Sequence, residues 1–384
     1  MKVIELFKKP LMIALVASMT LGFAACDDNK DDPTTDSIDS KKTAILSQYV
    51  NGVVVPTYRS LANEANELAE LCQQLRENPT QSKVQECCDK WIAARKYWEL
   101  SEAFLFGAAA DYNIDPHIDS WPLQKSQLDN VLKNDALISE LDEDGAAADA
   151  FSTLGYGLLG FHAVEYVLFR DGKARNVGDI SERELIYNAA VAQDLANQTV
   201  RLEAAWAGMD NISAAKRQQL EEYELEPSFN YGESMINAGK TGNNLYKTQL
   251  EGMEQILTGA ADISDEVGNT KITDPVNSGN VLDVESWYSW NSIADFTDNV
   301  RSVRNTYYGT LDGTVNSNSM AAYMNKVDAT LDNNVRTAID KAIKEVSSMP
   351  APFRNHLTKA ETQAAVDACN KLLDALDAAI EALR

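Results

Sequence analysis

Residues 366–383, VDACNKLLDALDAAIEAL, decide the fold class. Their large apolar side chains recur at spacings of three and four residues, through Val366, Cys369, Leu373, Leu376, Ile380 and Leu383. That spacing predicts a helix with one apolar stripe, which packs against other helices. Upstream, Ser181 and Glu184 form a capping-box pattern that opens another helix, and alternating β-branched runs are scarce. The sequence therefore predicts an all-α protein.

Polar stretches that contain glycine interrupt the helical pattern. The stretches that we predict to be loops are residues 171–179, 258–280 and 309–319. They divide one domain, residues 43–384, into two helical halves of about 43–170 and about 177–384. No residue-level repeat relates the two halves, so we expect two bundle-like halves that pack together.

The N-terminus has the pattern of a bacterial lipoprotein. Lysines precede an uncharged apolar run over residues 11–25, which is too short to span a membrane as a helix. Cys26 follows two alanines, so we predict a signal peptide over residues 1–25, lipidation of Cys26 and a disordered tether over 26–42. The protein would then be anchored by lipid to the outer membrane, periplasmic or surface-exposed. The alternative is an ordinary signal peptide with a chance cysteine.

The other cysteines are Cys72, Cys87, Cys88 and Cys369. An oxidising compartment permits disulfides. Cys72 and Cys87 lie symmetrically about the predicted turn near Pro79, so they would be level in an antiparallel helix pair. A bridge between them and buried free thiols both remain open.

Composition limits the function. The chain has 384 residues, with 58 acidic against 34 basic side chains and a formal net charge of −24. Such a protein repels phosphate backbones, so nucleic-acid binding is excluded as a main function. Because the chain contains only 3 histidines, a site built on several histidine ligands is also tightly limited.

Residues 151–169, FSTLGYGLLGFHAVEYVLF, are unusually apolar for so acidic a chain and predict a buried helix. His162 and Glu165 lie three residues apart within it, and therefore on one helical face. A buried carboxylate needs a partner. Either the two side chains form a buried hydrogen bond with each other, as most such pairs do, or both bind a metal ion.

A second segment, residues 91–122, also places acids among aromatic residues. On a continuous helix Trp98 and Glu102 share one face, and Glu99 lies three residues before Glu102. If the two buried acidic helices meet, Glu99 or Glu102 comes beside His162 and Glu165. The alternative is that both glutamates face solvent.

These segments together resemble the imelysin family, which has a G-x-H-x-x-E motif. The motif matches Gly160, His162 and Glu165. The other matching blocks contain Trp98, Asp119, Trp121, Asp295, Asn299 and Tyr308. The resemblance covers residues 43–384 and implies two helical bundle-like halves with the motif at a groove between them. It also implies extracytoplasmic lipoproteins linked to iron uptake, with iron-transport components as partners.

The family has been linked to peptide hydrolysis, yet the zinc-protease patterns H-E-x-x-H and H-x-x-E-H are absent, because Ala163 and Tyr166 occupy the decisive positions. One histidine with several carboxylates suits iron or manganese better than a thiolate-rich zinc site, so iron is favoured, and zinc and manganese remain open. We therefore predict a metal ion or metal complex held by His162, Glu165, Glu102 and Glu99. A metal-dependent peptidase and a lipoprotein that binds a peptide, glycan or protein are the alternatives.

Overall fold

The computed structural model describes residues 38–142 and 154–384 and confirms the predicted all-α class. Residues Ile38–Arg384 form one compact unit. The α-helices of the described residues are α1 (Ser40–Tyr49), α2 (Val55–Glu77), α3 (Gln81–Glu99), α4 (Ala108–Asp111), α5 (Ile114–Ile118), α6 (Lys125–Val131), α7 (Asp135–Asp142), α8 (Gly160–Leu168), α9 (Glu182–Ala207), α10 (Ala214–Glu222), α11 (Tyr231–Ile236), α12 (Gln249–Glu266), α13 (Thr273–Ser278), α14 (Ser292–Tyr308), α15 (Met320–Val327), α16 (Ala329–Ser347) and α17 (Lys359–Leu383).

Tighter and wider helical turns extend or connect these helices. Two π-helical segments, Val50–Val54 and Val267–Ile272, lie within longer helical stretches. The 3-10 turns are Glu102–Phe104, Tyr156–Leu158, Val177–Asp179, Met209–Asn211, Val281–Asp283 and Phe353–Asn355. In the described residues, the strands are β1 (Phe169–Arg170) and β2 (Lys173–Ala174), which form one antiparallel hairpin.

The apolar stripe predicted at the C-terminus lies on α17, but the buried positions differ slightly from the predicted ones. The residues buried there include Ala365, Cys369, Leu372, Leu376, Ala379 and Leu383, whereas Val366 and Leu373 are half-buried. The helix packs against both α16 and α12, and two neighbours bury a wider face than one seam would. The capping box at Ser181 and Glu184 is present at the start of α9.

Two groups of helices build the core. In the first, α9 and α3 pack against α2; in the second, α12, α14, α16 and α17 pack together. The groups meet where α14 contacts α3. The division of the sequence placed α9 in the second half, yet α9 packs with the first group. Its buried alanines, Ala192 and Ala196 among them, allow close approach to α2, so sequence halves and packing groups differ.

The loop predicted over residues 258–280 is wrong, because most of this stretch is helical. Helix α12 continues into the π-helical segment and then α13. Buried Ile263, Val267 and Ile272 explain the difference, since their burial stabilises helix despite the surrounding Gly, Asn and Asp.

The N-terminal predictions fall largely outside the described residues. The signal peptide, Cys26 and the tether up to residue 37 lie there. The end of the predicted tether is helical, because α1 begins at Ser40, capped by the Asp39 side chain. The Gln249 side chain binds both backbone polar groups of Asp39. Among the described helices, none combines the length and apolarity that a membrane crossing requires.

The described cysteines are buried free thiols. Cys72 and Cys87 face each other between α2 and α3, as their symmetric positions suggested. A hydrogen bond with Cys87, together with burial, raises the pKa of Cys72. Of the two possibilities left open by the sequence, the structure shows the free thiols.

Candidate metal centre

Gly160 begins the motif helix α8 at a position that admits no side chain. Its φ is +72°, and a Cβ atom there would lie 2.0 Å from the backbone oxygen of Ile118. The predicted buried helix is therefore shorter than residues 151–169. Before Gly160 the described chain forms the Tyr156–Leu158 turn, and residues 151–153 lie outside the described chain.

His162 and Glu165 face each other on α8. The Nδ1 atom of His162 lies 3.1 Å from Oε2 of Glu165, and both residues are buried. The other glutamate oxygen, Oε1, accepts hydrogen bonds from the backbone N–H groups of Tyr288, at 3.1 Å, and Ser289, at 2.8 Å. The Ser289 hydroxyl donates to it as well, at 2.7 Å. Glu165 is thus held from the loop before α14 and orients the imidazole ring.

The second imidazole nitrogen points at Asp119. His162 Nε2 lies 3.1 Å from Asp119 Oδ1, yet it makes no aligned hydrogen bond among the described residues. The indole N–H of Trp98 donates to Asp119 Oδ2 at 2.7 Å, and the Trp121 ring packs edge-on against the imidazole at a centroid distance of 4.6 Å. A buried, oriented ring nitrogen beside a carboxylate is an arrangement that metal sites use.

Arg95 lies among four carboxylates and is fully buried. Its Nε atom is 2.6 Å from Glu99 and 3.8 Å from Asp295. Its Nη1 and Nη2 atoms donate to Asp119 and Glu285. One guanidinium therefore ties α3 to α14 and to the segments that follow α5 and precede α14.

Lys271 is the second buried cation. It lies in the π-helical segment after α12, with Nζ 2.9 Å from Glu285, 3.8 Å from Glu266 and 3.9 Å from Glu102. Burial lowers the pKa of Lys271, but these carboxylates, Glu285 first, outweigh burial and raise it well above the ordinary value. Lys271 is therefore a permanent positive charge beside Arg95.

Acids still outnumber bases in this group of side chains, which we name the Arg95 cluster. Its bases are Arg95, Lys271 and His162. Its acids are Glu99, Glu102, Asp119, Glu165, Glu285 and Asp295. An uncompensated buried negative charge is costly, so the excess must be neutralised by protons or by a further cation.

The pKa shifts indicate which side chains would carry the protons that neutralise the excess negative charge. Burial raises the pKa of Glu99 and Glu102 well above the ordinary value and that of Asp295 to about 7. Asp119 differs: burial raises its pKa, but Arg95 and then His162 outweigh burial and hold it below its usual range. Burial lowers the pKa of His162, but the carboxylates of Asp119 and Glu165 raise it to about 9.

Three sets of side chains place ligand atoms within 4.8 Å of one another: Asp119 with His162 and Glu285, Glu99 with Glu285 and Asp295, and Glu99 with Glu102 and Asp119. Glu99, Glu102 and His162 of the predicted ligands belong to these sets. Among the described residues, Glu165 belongs to none, and protein groups contact both of its oxygens.

Glu99 and Glu102 do not share a helix, because α3 ends at Glu99 and Glu102 begins a separate 3-10 turn. Asn299 donates to the Glu99 carboxylate from α14. Tyr308 does not join the cluster. It ends α14, thirteen residues and roughly 20 Å along the helix from Asp295, and contacts Arg336 at 5.5 Å.

Three members of the cluster, Arg95, Glu285 and Lys271, were not predicted. The i,i+4 spacing of Arg95 and Glu99 was a usable signal, because a buried acid on that face needs a base nearby. No local pattern indicates Glu285, which lies 190 residues from Arg95 in the sequence. Lys271 was hidden in the stretch predicted to be a loop.

Known proteins share this fold. A family model described as imelysin matches residues 54–380. The chain belongs to the imelysin family. An imelysin-like protein from Psychrobacter arcticus has the same fold at 14% identity, with a TM-score of 0.64 over 90% of this chain and 94% of that one.

Two relatives carry a name that mentions iron. Iron-regulated protein A of Synechococcus elongatus is 25% identical over 321 residues, which is 84% of this chain and 80% of that protein. A Parabacteroides distasonis protein, named provisionally as an iron-regulated protein A precursor, is 29% identical. Its structure has a TM-score of 0.77 and covers 93% of this imelysin-family chain and 98% of its own.

Proposed function

We propose that this protein binds a metal ion in the Arg95 cluster, with iron favoured, and serves iron uptake outside the cytoplasm. One observation carries the proposal. His162 Nε2 is buried and oriented, makes no aligned hydrogen bond among the described residues, and lies within 4.8 Å of carboxylate oxygens of Asp119 and Glu285. The ring nitrogen therefore faces carboxylate oxygens, as a metal ligand would, without being aligned with one of them.

The donor set favours iron or manganese over zinc. One imidazole nitrogen and two carboxylates, from His162, Asp119 and Glu285, match the ligands that ferrous and manganous ions take in proteins, and the ligand sets found among the described residues contain no cysteine. Glu165 has a different role here from the ligand role predicted from the sequence. Its carboxylate contacts Nδ1 and so holds the imidazole ring in place, as carboxylates do for many metal-binding histidines.

The cluster must change its protonation when an ion enters. Asp119 and Glu285 already contact Arg95, so the ion would share their oxygens with the guanidinium. With its pKa raised to about 9, His162 carries a proton at neutral pH, and that proton must leave Nε2 for metal to bind. Metal binding should therefore release protons and strengthen as pH rises.

The relatives and the N-terminal pattern support a transport setting. Two similar proteins are named for regulation by iron. The signal pattern and Cys26 support the proposal of a lipid anchor in the outer membrane, with the protein periplasmic or surface-exposed, and iron-transport components would be its partners.

Metal titration of three histidine variants tests the proposal. The chain has 3 histidines, so His162→Ala can be compared with His117→Ala and His356→Ala, whose histidines also contact carboxylates. Calorimetry with Fe²⁺ under anaerobic conditions, Mn²⁺ and Zn²⁺ should show binding to wild type and both control variants, and at least a 100-fold loss in His162→Ala.

The same experiment separates the competing functions. If wild type binds none of the three ions at pH 8, or if all three variants bind equally, the metal proposal is wrong. Peptide hydrolysis that a chelator abolishes would favour the peptidase instead. An intact fold without metal binding or hydrolysis would favour a module that binds a peptide, glycan or protein.

A further inference from the structure

A surface cleft of about 630 Å³ lies beyond the loop that holds Glu165. Its lining includes Arg170, Lys173, Arg175 and Trp290. The size suits a small organic molecule. We propose that this cleft binds a small organic polyanion with carboxylate groups, which pairs with Arg170 and Lys173 and packs on the Trp290 indole.

The charge of the cleft is the first argument. The protein has 58 acidic and 34 basic residues, whereas the lining of the cleft carries three bases, Arg170, Lys173 and Arg175, against two acids. Within the described residues, Arg170 and Lys173 have no carboxylate within ion-pair distance, whereas Arg175 pairs with Glu184 at 2.8 Å. Burial, and then the nearby Arg175, lower the pKa of Arg170, although Glu184 opposes the shift.

Within the described residues, neither acid of the cleft lining forms an ion pair with Arg170 or Lys173. Asp171 lies in the hairpin turn with its side chain 80% exposed, and its ion-pair partner among the described residues is Arg354 at 3.9 Å. Asp179 contributes its backbone oxygen to Arg175. Nη1 of Arg170 donates to the backbone oxygens of Tyr166, at 2.7 Å, and Phe169, at 2.8 Å, so the guanidinium is held in place at the cleft. A bound polyanion would meet the other N–H groups of this guanidinium and the Lys173 ammonium, and carboxylate groups pair with guanidinium through charge-assisted hydrogen bonds.

The exposed Trp290 side chain in the cleft lining is the second argument. Trp290 is 37% exposed, although its φ of +63° is a strained conformation for so large a residue. A Cβ atom on Gly172, whose own φ is +72°, would lie 2.5 Å from the Trp290 ring, so the hairpin turn leaves room for the indole. The Gly172 N–H donates to Tyr288 O at 3.0 Å and joins the turn to the loop. An exposed, rigidly placed indole is a common contact for ligands.

Two short stretches of the chain connect the cleft with the Arg95 cluster. The β1–β2 hairpin directly follows α8, which carries His162 and Glu165. Trp290 directly follows Ser289, which binds Glu165. Binding of an anion by itself is independent of the proposed function. That the anion is a chelator accompanying the metal rests on the proposed function.

Calorimetric titration with sodium citrate, a compact tricarboxylate, tests the proposal. At low ionic strength the full-length protein should bind citrate. Lys173→Glu should weaken that binding about ten-fold or more, because an attractive contact becomes repulsive. Lys326→Glu, which reverses an exposed lysine elsewhere, is the matched control and should leave the affinity unchanged. Trp290→Leu, with circular dichroism to check the fold, should also weaken binding.

Each outcome decides the point. No citrate binding to wild type, equal loss in Lys173→Glu and Lys326→Glu, or inorganic phosphate binding as tightly as citrate would overturn the proposal. Ferric citrate titrated into wild type and His162→Ala separates the two sites. Citrate binding without metal binding would contradict the proposed function alone, and metal binding without citrate binding would contradict this inference alone.

Discussion

Two histidine–glutamate pairs in this protein have similar contacts and different surroundings. His162 and Glu165 approach to 3.1 Å, and His356 and Glu361 to 2.8 Å. The first pair is buried; the side chains of the second are 32% and 33% exposed. Glu361 also accepts from the Thr358 hydroxyl at the start of α17, so the exposed pair helps to begin a helix.

The comparison shows that the contact itself does not make a site. Water solvates the exposed pair, and no buried excess of charge surrounds it. The buried pair adjoins Arg95, whose four neighbouring carboxylates must be neutralised without water. Function is therefore to be sought where a histidine is buried and the acids around it outnumber the bases.

Removing the central cation should have the largest effect on stability. Arg95→Gln leaves several buried carboxylates without their counter-charge, which typically costs about 3–5 kcal/mol. Arg301→Gln removes a 41%-exposed arginine that pairs with Asp298, and should cost less than about 1 kcal/mol. Urea unfolding with chelator at pH 7 measures both. If Arg95→Gln and Arg301→Gln proteins were equally stable, the buried arginine would contribute no more to stability than the exposed one.

Filling the space at the start of the motif helix should have the next largest effect. Gly160→Ala combines a positive φ with a backbone clash, and we expect a loss of roughly 2–4 kcal/mol. Gly155→Ala is the control, because no atom lies within 4 Å of its added Cβ and its φ is −73°. Thermal melts compare the two. A Gly160→Ala protein as stable as the control would contradict the tight junction with Ile118.

The two glutamates compare the pairs directly. Glu165→Gln places an amide against the imidazole Nδ1–H, so it should cost about 1–3 kcal/mol of stability and weaken metal binding about 10–100-fold. Glu361→Gln should change stability by less than about 0.5 kcal/mol and leave metal affinity unchanged. Calorimetry and melts on both variants measure this. An unchanged metal affinity in Glu165→Gln would show that Glu165 does not orient the His162 ring for metal binding.

The helical class was predictable because it depends on local spacing. The stripe of α17 and the capping box at Ser181 involve residues within a few turns of one another. The error over residues 258–280 has the opposite origin. Polar and glycine residues suggested a loop, whereas the burial of Val267 and Ile272 by distant helices favours helix.

The site was predictable only in part, for the same reason. His162 and Glu165 are neighbours on one turn, and Glu99 follows Arg95 by four residues. Glu285 reaches Arg95 across 190 residues of sequence, through packing of α14 on α3 that no local pattern encodes. Acids close in sequence could therefore be identified, whereas the base that holds them together and its distant partner could not.

The last expected effect is a dependence of stability on pH in the absence of metal. Burial raises the pKa of Asp295 to about 7, although Arg95 opposes the shift. Below about pH 4, this group is protonated in both the folded and the unfolded protein. Between about pH 4 and 7 the folded protein keeps the proton and the unfolded chain loses it, so the Asp295 contribution to stability falls as pH rises.

Asp295→Asn removes this titration. With chelator present, we expect wild type to lose stability relative to Asp295→Asn from pH 4 to 7, by at most about 1.4 kcal/mol per pH unit, and to run parallel to it above about pH 8. Asp374→Asn, at an exposed position of α17, is the control and should parallel wild type throughout. Urea unfolding at each pH measures the difference. Because the substitution also perturbs hydrogen bonds from Ser286 and Asn291, the slope with pH carries the information, and the offset does not. Parallel curves for wild type and Asp295→Asn between pH 4 and 7 would mean that the excess negative charge of the Arg95 cluster is not neutralised by a proton on this carboxylate.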